Sequence, residues 1–241
     1  MATVDVIIPV YNEEHVLAQS VATLREFLKS NVDKQWKIII ADNASTDRTW
    51  EVAQGLAQEH PDVAAVHIDQ KGRGRALRKV WLESDSDIVS YMDVDLSTDL
   101  GAFPKLIDAI DKEGYHIAIG SRLMRDSKTK RSFKRELTSR GYNFLIKAMF
   151  FNSWHDAQCG FKAVSRQAVQ ELVPLIQNQE WFFDTELLLL AGRKGLRIKE
   201  IPVAWVEDPD TRVNIVKTVR EDIAGLLRLR FRPVPRTRKL A

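Results

Sequence analysis

Two aspartates, Asp93 and Asp95, flank Val94 directly after the apolar run Ile88-Val89-Ser90-Tyr91-Met92. If that run is a strand, side-chain alternation sends both carboxylates in related directions around the loop at its end. Hard oxygen donors there suit Mg2+ or Mn2+, which use one or two protein carboxylates and fill their other positions with water and diphosphate oxygens. Asp-x-Asp is a common pattern whose more frequent use is capping a following helix; its place after a fourth strand favours the cation. Upstream, Lys71-Gly72-Arg73-Gly74-Arg75 offers cations and helix-terminal N–H groups that attract phosphate. Its glycines are a fragment of a dinucleotide fingerprint, with Leu77 where the third glycine belongs. The plain alternative is a basic surface loop.

Both loops need elements to hold them. Val4 to Val10 is a short apolar run followed by Val16, Val21, Leu24 and Leu28 at helical spacing, so strand passes into helix. The pattern recurs with Lys37 to Ala41 and a helix from Thr46, with Val63 to Ile68 and Arg75 to Leu82, and with Ile88 to Met92 and Phe103 to Ile110. Alternating strands and helices predict an α/β fold, a mostly parallel sheet flanked by helices, whose ligands sit beyond the carboxyl ends of the strands. The loops there are polar: Tyr11 to Glu14, Asp42 to Asp47, Lys71 to Arg75 and Asp93 to Asp95. Further on, the sequence predicts a helix over Phe133 to Phe150, a short strand at Phe161 to Val164, a helix from near Phe183 and one strand over Leu196 to Trp205, broken at Pro202. An amphipathic helix follows from Val213, with apolar residues spaced to lie against either the core or an interface.

The 241 residues suffice for one α/β core, and 44% hydrophobic with 29% charged residues is an ordinary globular composition. We expect a catalytic domain over residues 1–210 and an amphipathic helix with a basic tail over 211–241. The start of the chain lacks a basic segment before its apolar run, and no apolar stretch nears the roughly 20 residues of a membrane span. One cysteine, Cys159, leaves no internal disulfide. These features point to a cytoplasmic protein, soluble or peripheral to a membrane. The net charge of +3 conceals two basic clusters, one from Arg122 to Lys147 and one at Arg228, Arg230, Arg232, Arg236, Arg238 and Lys239.

Taken in order, VIIPVYNEE, ADNASTDRT, KGRGRAL and MDVDLSTD resemble the family-2 glycosyltransferases with the GT-A fold. DAQCGFKAVSR and WFFDTELLLLAGRKGLRIKEIPVAWVE are similar to the branch that glycosylates dolichyl or other polyprenyl phosphate. DAQCGFK and WFFDTELL look closer to its β-glucosyltransferases than to its mannose synthases. The resemblance implies that Pro9, Tyr11, Glu13 and Asp42 surround the donor nucleotide, that Lys71 lies nearby, and that Asp93 and Asp95 bind the metal, Mg2+ or Mn2+. It places Arg122 and Arg135 on phosphate groups, Asp156, Gln158, Asp184 and Glu186 around the sugar, and Arg212 at a commonly basic position. Trp181, Phe182 and Phe183 fit the core better than a sugar-stacking role, and Asp184 can also be a helix cap. Two departures stand out: Asn43-Ala44 replaces the usual Asp-Gly, and Ser97 replaces the Gln of many mannose synthases.

The activity implied is inverting hexose transfer from a nucleotide sugar, UDP-glucose favoured and GDP-mannose the alternative, to dolichyl or polyprenyl phosphate at a membrane surface. A nucleic-acid-binding module would leave Asp93 and Asp95 unexplained, so no nucleic-acid partner is expected. A dinucleotide-dependent oxidoreductase conflicts with the incomplete glycine pattern.

Overall fold

Strands buried on both faces of a parallel sheet read as continuous apolar runs, and those runs become its centre here. The computed structural model describes residues 2–130, 133–206 and 215–231, with side chains over 2–129, 136–206 and 218–231. Chain order is β1 (Thr3–Val10), α1 (Leu17–Asn31), β2 (Gln35–Asn43), α2 (Thr49–Glu59), β3 (Val63–Ile68), α3 (Arg73–Glu83), β4 (Ile88–Met92), α4 (Phe103–Asp111) and β5 (Ile117–Ser121). There follow β6 (Lys128–Lys130), α5 (Phe133–Phe150), β7 (Phe161–Ser165), α6 (Arg166–Leu172), α7 (Phe183–Arg193), β8 (Ile198–Pro202), β9 (Ala204–Val206) and α8 (Ile215–Phe231).

Seven strands form one sheet in the order β3-β2-β1-β4-β7-β5-β8, parallel except for β7. Alternation along β1 divides the core. Val4, Val6, Ile8 and Val10 meet Leu17, Val21, Leu24 and Leu28 of α1 on one face, while Ile7 joins Ala76, Leu77, Val80 and Trp81 of α3 on the other. Each fully buried Val or Leu contributes about 1.5–3 kcal/mol, so a one-residue slip of β1 would exchange its two faces and lose much of this packing. The antiparallel β7 matters most for the site. Its register sets Phe161 opposite Met92, so the residues just outside that pair, Gly160 and Asp93, become neighbours.

The expected single strand over Leu196 to Trp205 is instead two strands in different sheets. β8 extends the main sheet beside β5, and β9 pairs with β6 in a separate ribbon. Pro202 ends the first because it cannot continue a ladder on both sides. The short β5 escapes the sequence pattern, its five residues including the small Ala118, Gly120 and Ser121.

α8 packs against α5 and α7, and its Leu226 and Leu229 join the core on the α3 side. Both α5 and α8 also leave apolar stripes in solvent. Leu137, Phe144 and Phe151 follow one another at seven-residue spacing, and Val219, Ile223, Leu227 and Phe231 at four-residue spacing. Among the described residues no helix is long and apolar enough to cross a membrane.

Candidate active site

Three loops at the carboxyl ends of β1, β2 and β4 each carry a non-glycine residue with positive φ: Asn12 (55°), Ala44 (57°) and Leu96 (49°). Such conformations cost on the order of 1–3 kcal/mol and persist only where their surroundings fix them. Asn12 is fixed by Ser45 and Thr46: its N–H donates to Ser45 Oγ (3.0 Å) and its Oδ1 accepts the Thr46 N–H (2.8 Å). Ala44 shows why a glycine is usual after residue 43: the backbone there needs the left-handed region.

The residues assigned to the donor nucleotide do come together. Lys71 Nζ lies 3.5 Å from the centroid of the Tyr11 ring. Glu13 lies in the turn before α1, its carbonyl accepting the Leu17 N–H (3.0 Å) while its own N–H donates to Thr49 Oγ1 (2.7 Å). Pro9 sits beyond Ile7, the last residue of β1 in register with β4. Asp42, fully buried, holds His67 Nδ1 at 2.6 Å through Oδ2, whereas its Oδ1 has no partner among the described residues. The sequence reading missed His67; alternation along β3 could have found it, since a lone polar residue interrupts that strand.

The Lys71 to Arg75 segment turns part of its donor set inward. Two of its N–H groups are used internally, that of Gly72 on Asn43 Oδ1 (2.8 Å) and that of Arg75 on the Gln179 carbonyl (3.0 Å). Gly72 (φ 154°) and Gly74 are needed because any Cβ would strike the backbone at Gln179 and Glu180. Arg75 turns back to the Lys71 carbonyl. Arg73 points inward, 2.5 Å from Asp93 Oδ1 and 3.6 Å from Asp184 Oδ2, between the rings of Tyr91 and Trp181. Close packing of α3, rather than anion binding, accounts for this glycine pair.

Among the described residues, Asp93 and Asp95 each keep one carboxylate oxygen outside the hydrogen bonds that hold them, for Oδ1 of Asp93 takes Arg73 and Oδ1 of Asp95 takes the Ser97 N–H (3.0 Å). Burial lifts the Asp93 carboxyl above the usual range; Arg73 opposes the rise, and Asp95 and Asp184 add to it. Among the described residues no three His, Cys, Asp or Glu side chains cluster tightly enough to hold an ion unaided. Two carboxylates of this kind fit a cation that completes its shell with substrate phosphates and water. Behind them lies a buried network absent from the sequence reading. Asp184 accepts from the Tyr91 hydroxyl and lies 2.9 Å from Lys162 Nζ, and Lys162 also donates to the carbonyls of Ala157 (3.1 Å) and Cys159 (2.5 Å). A lysine inside the apolar run of β7 was the available signal.

Residues 156–160 connect these groups to the helices. Asp156 receives Arg122 through Nε (2.8 Å) and Nη2 (3.0 Å) and also takes the Arg122 N–H (3.0 Å). Burial opposes the Asp156 charge, yet Arg122 holds its carboxyl below the ordinary value. Ala157 N–H donates to Asn143 of α5 (3.0 Å), and Gln158 Nε2 donates to Asp222 of α8 (3.1 Å). Burial pushes the Cys159 thiol up to about 12, so it stays protonated. Gly160 admits no side chain, because a Cβ would overlap the Asp93 carboxylate.

Several sugar-pocket assignments therefore have other partners. Asp156 and Asp184 are committed to buried cations, and Gln158 ties the loop to α8. Glu186, fully buried, accepts both Arg228 Nη1 and Nη2 (2.8 Å each) and the N–H groups of Gln177 (3.2 Å) and Asn178 (3.0 Å). That pair also removes Arg228 from the free basic tail. Phe182 and Phe183 are core residues, while Trp181 stacks on Arg73. Arg212, the Arg135 side chain and the tail from Arg232 to Lys239, Arg236 and Arg238 included, lie outside the described residues.

Asp222 yields a stability prediction. Burial lifts its carboxyl to about 7, Glu221 and Asp184 adding to the rise while Tyr142 and Gln158 oppose it. The folded state thus keeps a proton that the unfolded chain releases near its ordinary value of about 3.9. The resulting stability is complete below that value and is lost as pH rises through about 7. Asp222→Asn should flatten the thermal midpoint between pH 5 and 8, and at pH 8 it should gain on the order of 1–2 kcal/mol. Parallel midpoint profiles for the two proteins would exclude this titration.

Polar loops gather at one end of a mostly parallel sheet, where α/β folds place their ligands, and Asp93 and Asp95 stand at the end of β4 with Arg73 held against Asp93. Residues 5–173 match glycosyl transferase family 2, and the chain belongs to that family. It is 36% identical over 228 residues to Glycosyltransferase AglD of Haloferax volcanii, covering 92% of this chain and 35% of that protein. It is 31% identical to the dolichyl-phosphate beta-glucosyltransferase of Saccharomyces cerevisiae, covering 84% of this chain and 66% of that protein. The chain thus spans about a third and just under two thirds of these two relatives. In fold it is similar to glucosyl-3-phosphoglycerate synthase from Mycobacterium tuberculosis in complex with Mn2+, uridine diphosphate and phosphoglyceric acid, with a TM-score of 0.70, 21% identity, and 96% and 80% of the two chains covered. The architecture is the GT-A fold.

Proposed function

We propose that this chain transfers glucose from UDP-glucose to dolichyl or another polyprenyl phosphate, with inversion at the anomeric carbon. The observation that carries the reading is the placement of two carboxylates, Asp93 and Asp95, at the end of β4, Asp93 held by Arg73, with a second arginine, Arg122, fixed by Asp156 at the end of β5. Likeness to the yeast dolichyl-phosphate beta-glucosyltransferase supports glucose and a lipid phosphate. Asp93 and Asp95 would hold Mg2+ or Mn2+, which when bound supplies charge neutralisation for the departing diphosphate. The mycobacterial synthase, crystallised with Mn2+ and uridine diphosphate, is in keeping with that donor set.

The acceptor phosphomonoester is mostly dianionic near neutrality, its second pKa being about 6, so no strong general base is needed. One acceptor oxygen forms a bond to the anomeric carbon as the bond from that carbon to the nucleoside diphosphate breaks, and uridine diphosphate leaves. Tyr11, Lys71 and Asp42 orient the nucleotide. Arg122 offsets repulsion between two anionic substrates, and Arg135 and Arg212 are proposed to do the same. Asp156 keeps Arg122 aimed. The apolar stripes of α5 and α8 suit a membrane surface, where burial of Phe144, Phe151 and Phe231 brings the site to its lipid acceptor.

Labelled UDP-glucose, GDP-mannose and UDP-N-acetylglucosamine, each incubated with polyprenyl phosphate in neutral detergent with and without Mg2+ or Mn2+, test this directly. A glucosylated lipid, formed only with metal, is expected. A mannosylated product would favour the mannose-synthase alternative, and no lipid product from any donor would reject the transfer.

A further inference from the structure

Among the described residues, two cations meet without a carboxylate at the carboxyl-terminal ends of α5, α7 and α8. The helix ends enclose a pocket of about 320 Å3 lined by Met149, Phe150, Trp154, Leu188, Arg193 and Arg230, among others. Arg193 donates to the Leu229 carbonyl, and its guanidinium carbon lies 5.7 Å from the centroid of the Phe150 ring. Burial and the charge of Arg230 push the Arg193 pKa down, so the two cations disfavour one another. Among the described residues neither arginine has an ion-pair partner. Asn152, which also lines the pocket, has both side-chain amide atoms buried without a hydrogen-bond partner.

An anion between the arginines would remove their repulsion, since charge-assisted N–H bonds to phosphate are the strong kind. The remaining walls are apolar and aromatic, so a bare phosphate would leave most of the pocket unfilled. At its rim, Phe151 is 87% exposed, and Phe231, next to Arg230, is 78% exposed. Each ends one of the apolar stripes. The acceptor phosphate cannot be the occupant: Asp184 lies in the first turn of α7 and Gly192 in its last, which at 1.5 Å per residue separates pocket and strand-end site by about 12 Å.

We propose that this pocket binds the headgroup of an anionic phospholipid, its phosphate between Arg193 and Arg230 and its acyl chains along the stripes of α5 and α8. The orientation rests on the membrane-surface reading above, but the pocket does not depend on the identity of the sugar or acceptor. It would fix the enzyme on the bilayer by a specific contact in addition to apolar insertion.

The test uses the full chain, vesicles of phosphatidylcholine with and without phosphatidylglycerol, and two soluble probes: dihexanoyl-phosphatidylglycerol below its micellar concentration, and inorganic phosphate. Anionic vesicles should bind more tightly than neutral ones, and the soluble lipid should raise the thermal midpoint while equal inorganic phosphate does not. Arg230→Glu sets a carboxylate opposite Arg193, so it should keep the midpoint while losing on the order of tenfold in binding to anionic vesicles. It should also lose the shift given by the soluble lipid. Arg230→Gln, which creates no new ion pair, should lose both by a smaller factor and serves if the first variant folds poorly. Inorganic phosphate matching the lipid, or unchanged lipid binding in both variants, would overturn the proposal. None of these readouts requires sugar transfer, so failure of the transfer assay rejects the functional reading alone. Because the soluble-lipid shift needs no vesicle docking, it likewise judges the pocket apart from the stripes.

Discussion

Asp95→Ala is expected to lower glucosyl transfer at saturating donor by about a thousandfold or more, with little change in thermal stability. The side chain is exposed and, among the described residues, its one hydrogen bond is to the Ser97 N–H, so the fold depends on it weakly. Its proposed work lies in the reaction, where stabilising charge on a departing diphosphate is worth several kcal/mol and each 1.36 kcal/mol is about tenfold in rate. Asp93→Asn should be as severe for transfer and also destabilising, because Arg73 would lose its main counter-charge in a buried setting. Product formation and thermal midpoints measured on both variants separate the two cases. Transfer by Asp95→Ala within tenfold of the parent, or by either protein after chelation of metal, would remove the metal-assisted mechanism.

The second large effect is on stability. Glu186→Ala is expected to cost about 3–5 kcal/mol, the usual result of removing one partner from a buried pair. The substitution abandons Arg228 and two backbone N–H groups together. For a chain of this size about 2–4 °C accompanies each kcal/mol, so the midpoint should fall by roughly 10 °C. Glu186→Gln, which keeps an acceptor, should lose less. An alanine variant within about 1 kcal/mol of the parent would mean that Arg228 finds another partner or water at little cost. Charge reversal at Arg228 should be at least as damaging, and a membrane-binding test that reverses the whole tail would therefore mix unfolding with lost lipid contact. Changing Arg230 avoids that confusion.

The sequence by itself determined the alternation of strands and helices, because continuous apolar runs such as Val4 to Val10 and 3.6-residue spacing such as that of α1 are local consequences of burial. It also determined which loops are polar and, through ordered motifs, the family. What the loops do to one another was decided by tertiary structure. Lys71 to Arg75 reads as a phosphate loop from charge and glycine content, yet Arg73 turns inward because Asp93, Asp184 and two aromatic rings wait there, contributed by distant segments. Gly160 is one glycine among eleven until the antiparallel register of β7 sets it against Asp93. Glu186 and Arg228, 42 positions apart, look like a sugar-pocket carboxylate and a tail cation until α8 folds onto α7. Periodicity records only whether a side chain faces the core; which charge meets which depends on strand order and helix docking, and no local pattern carries that information.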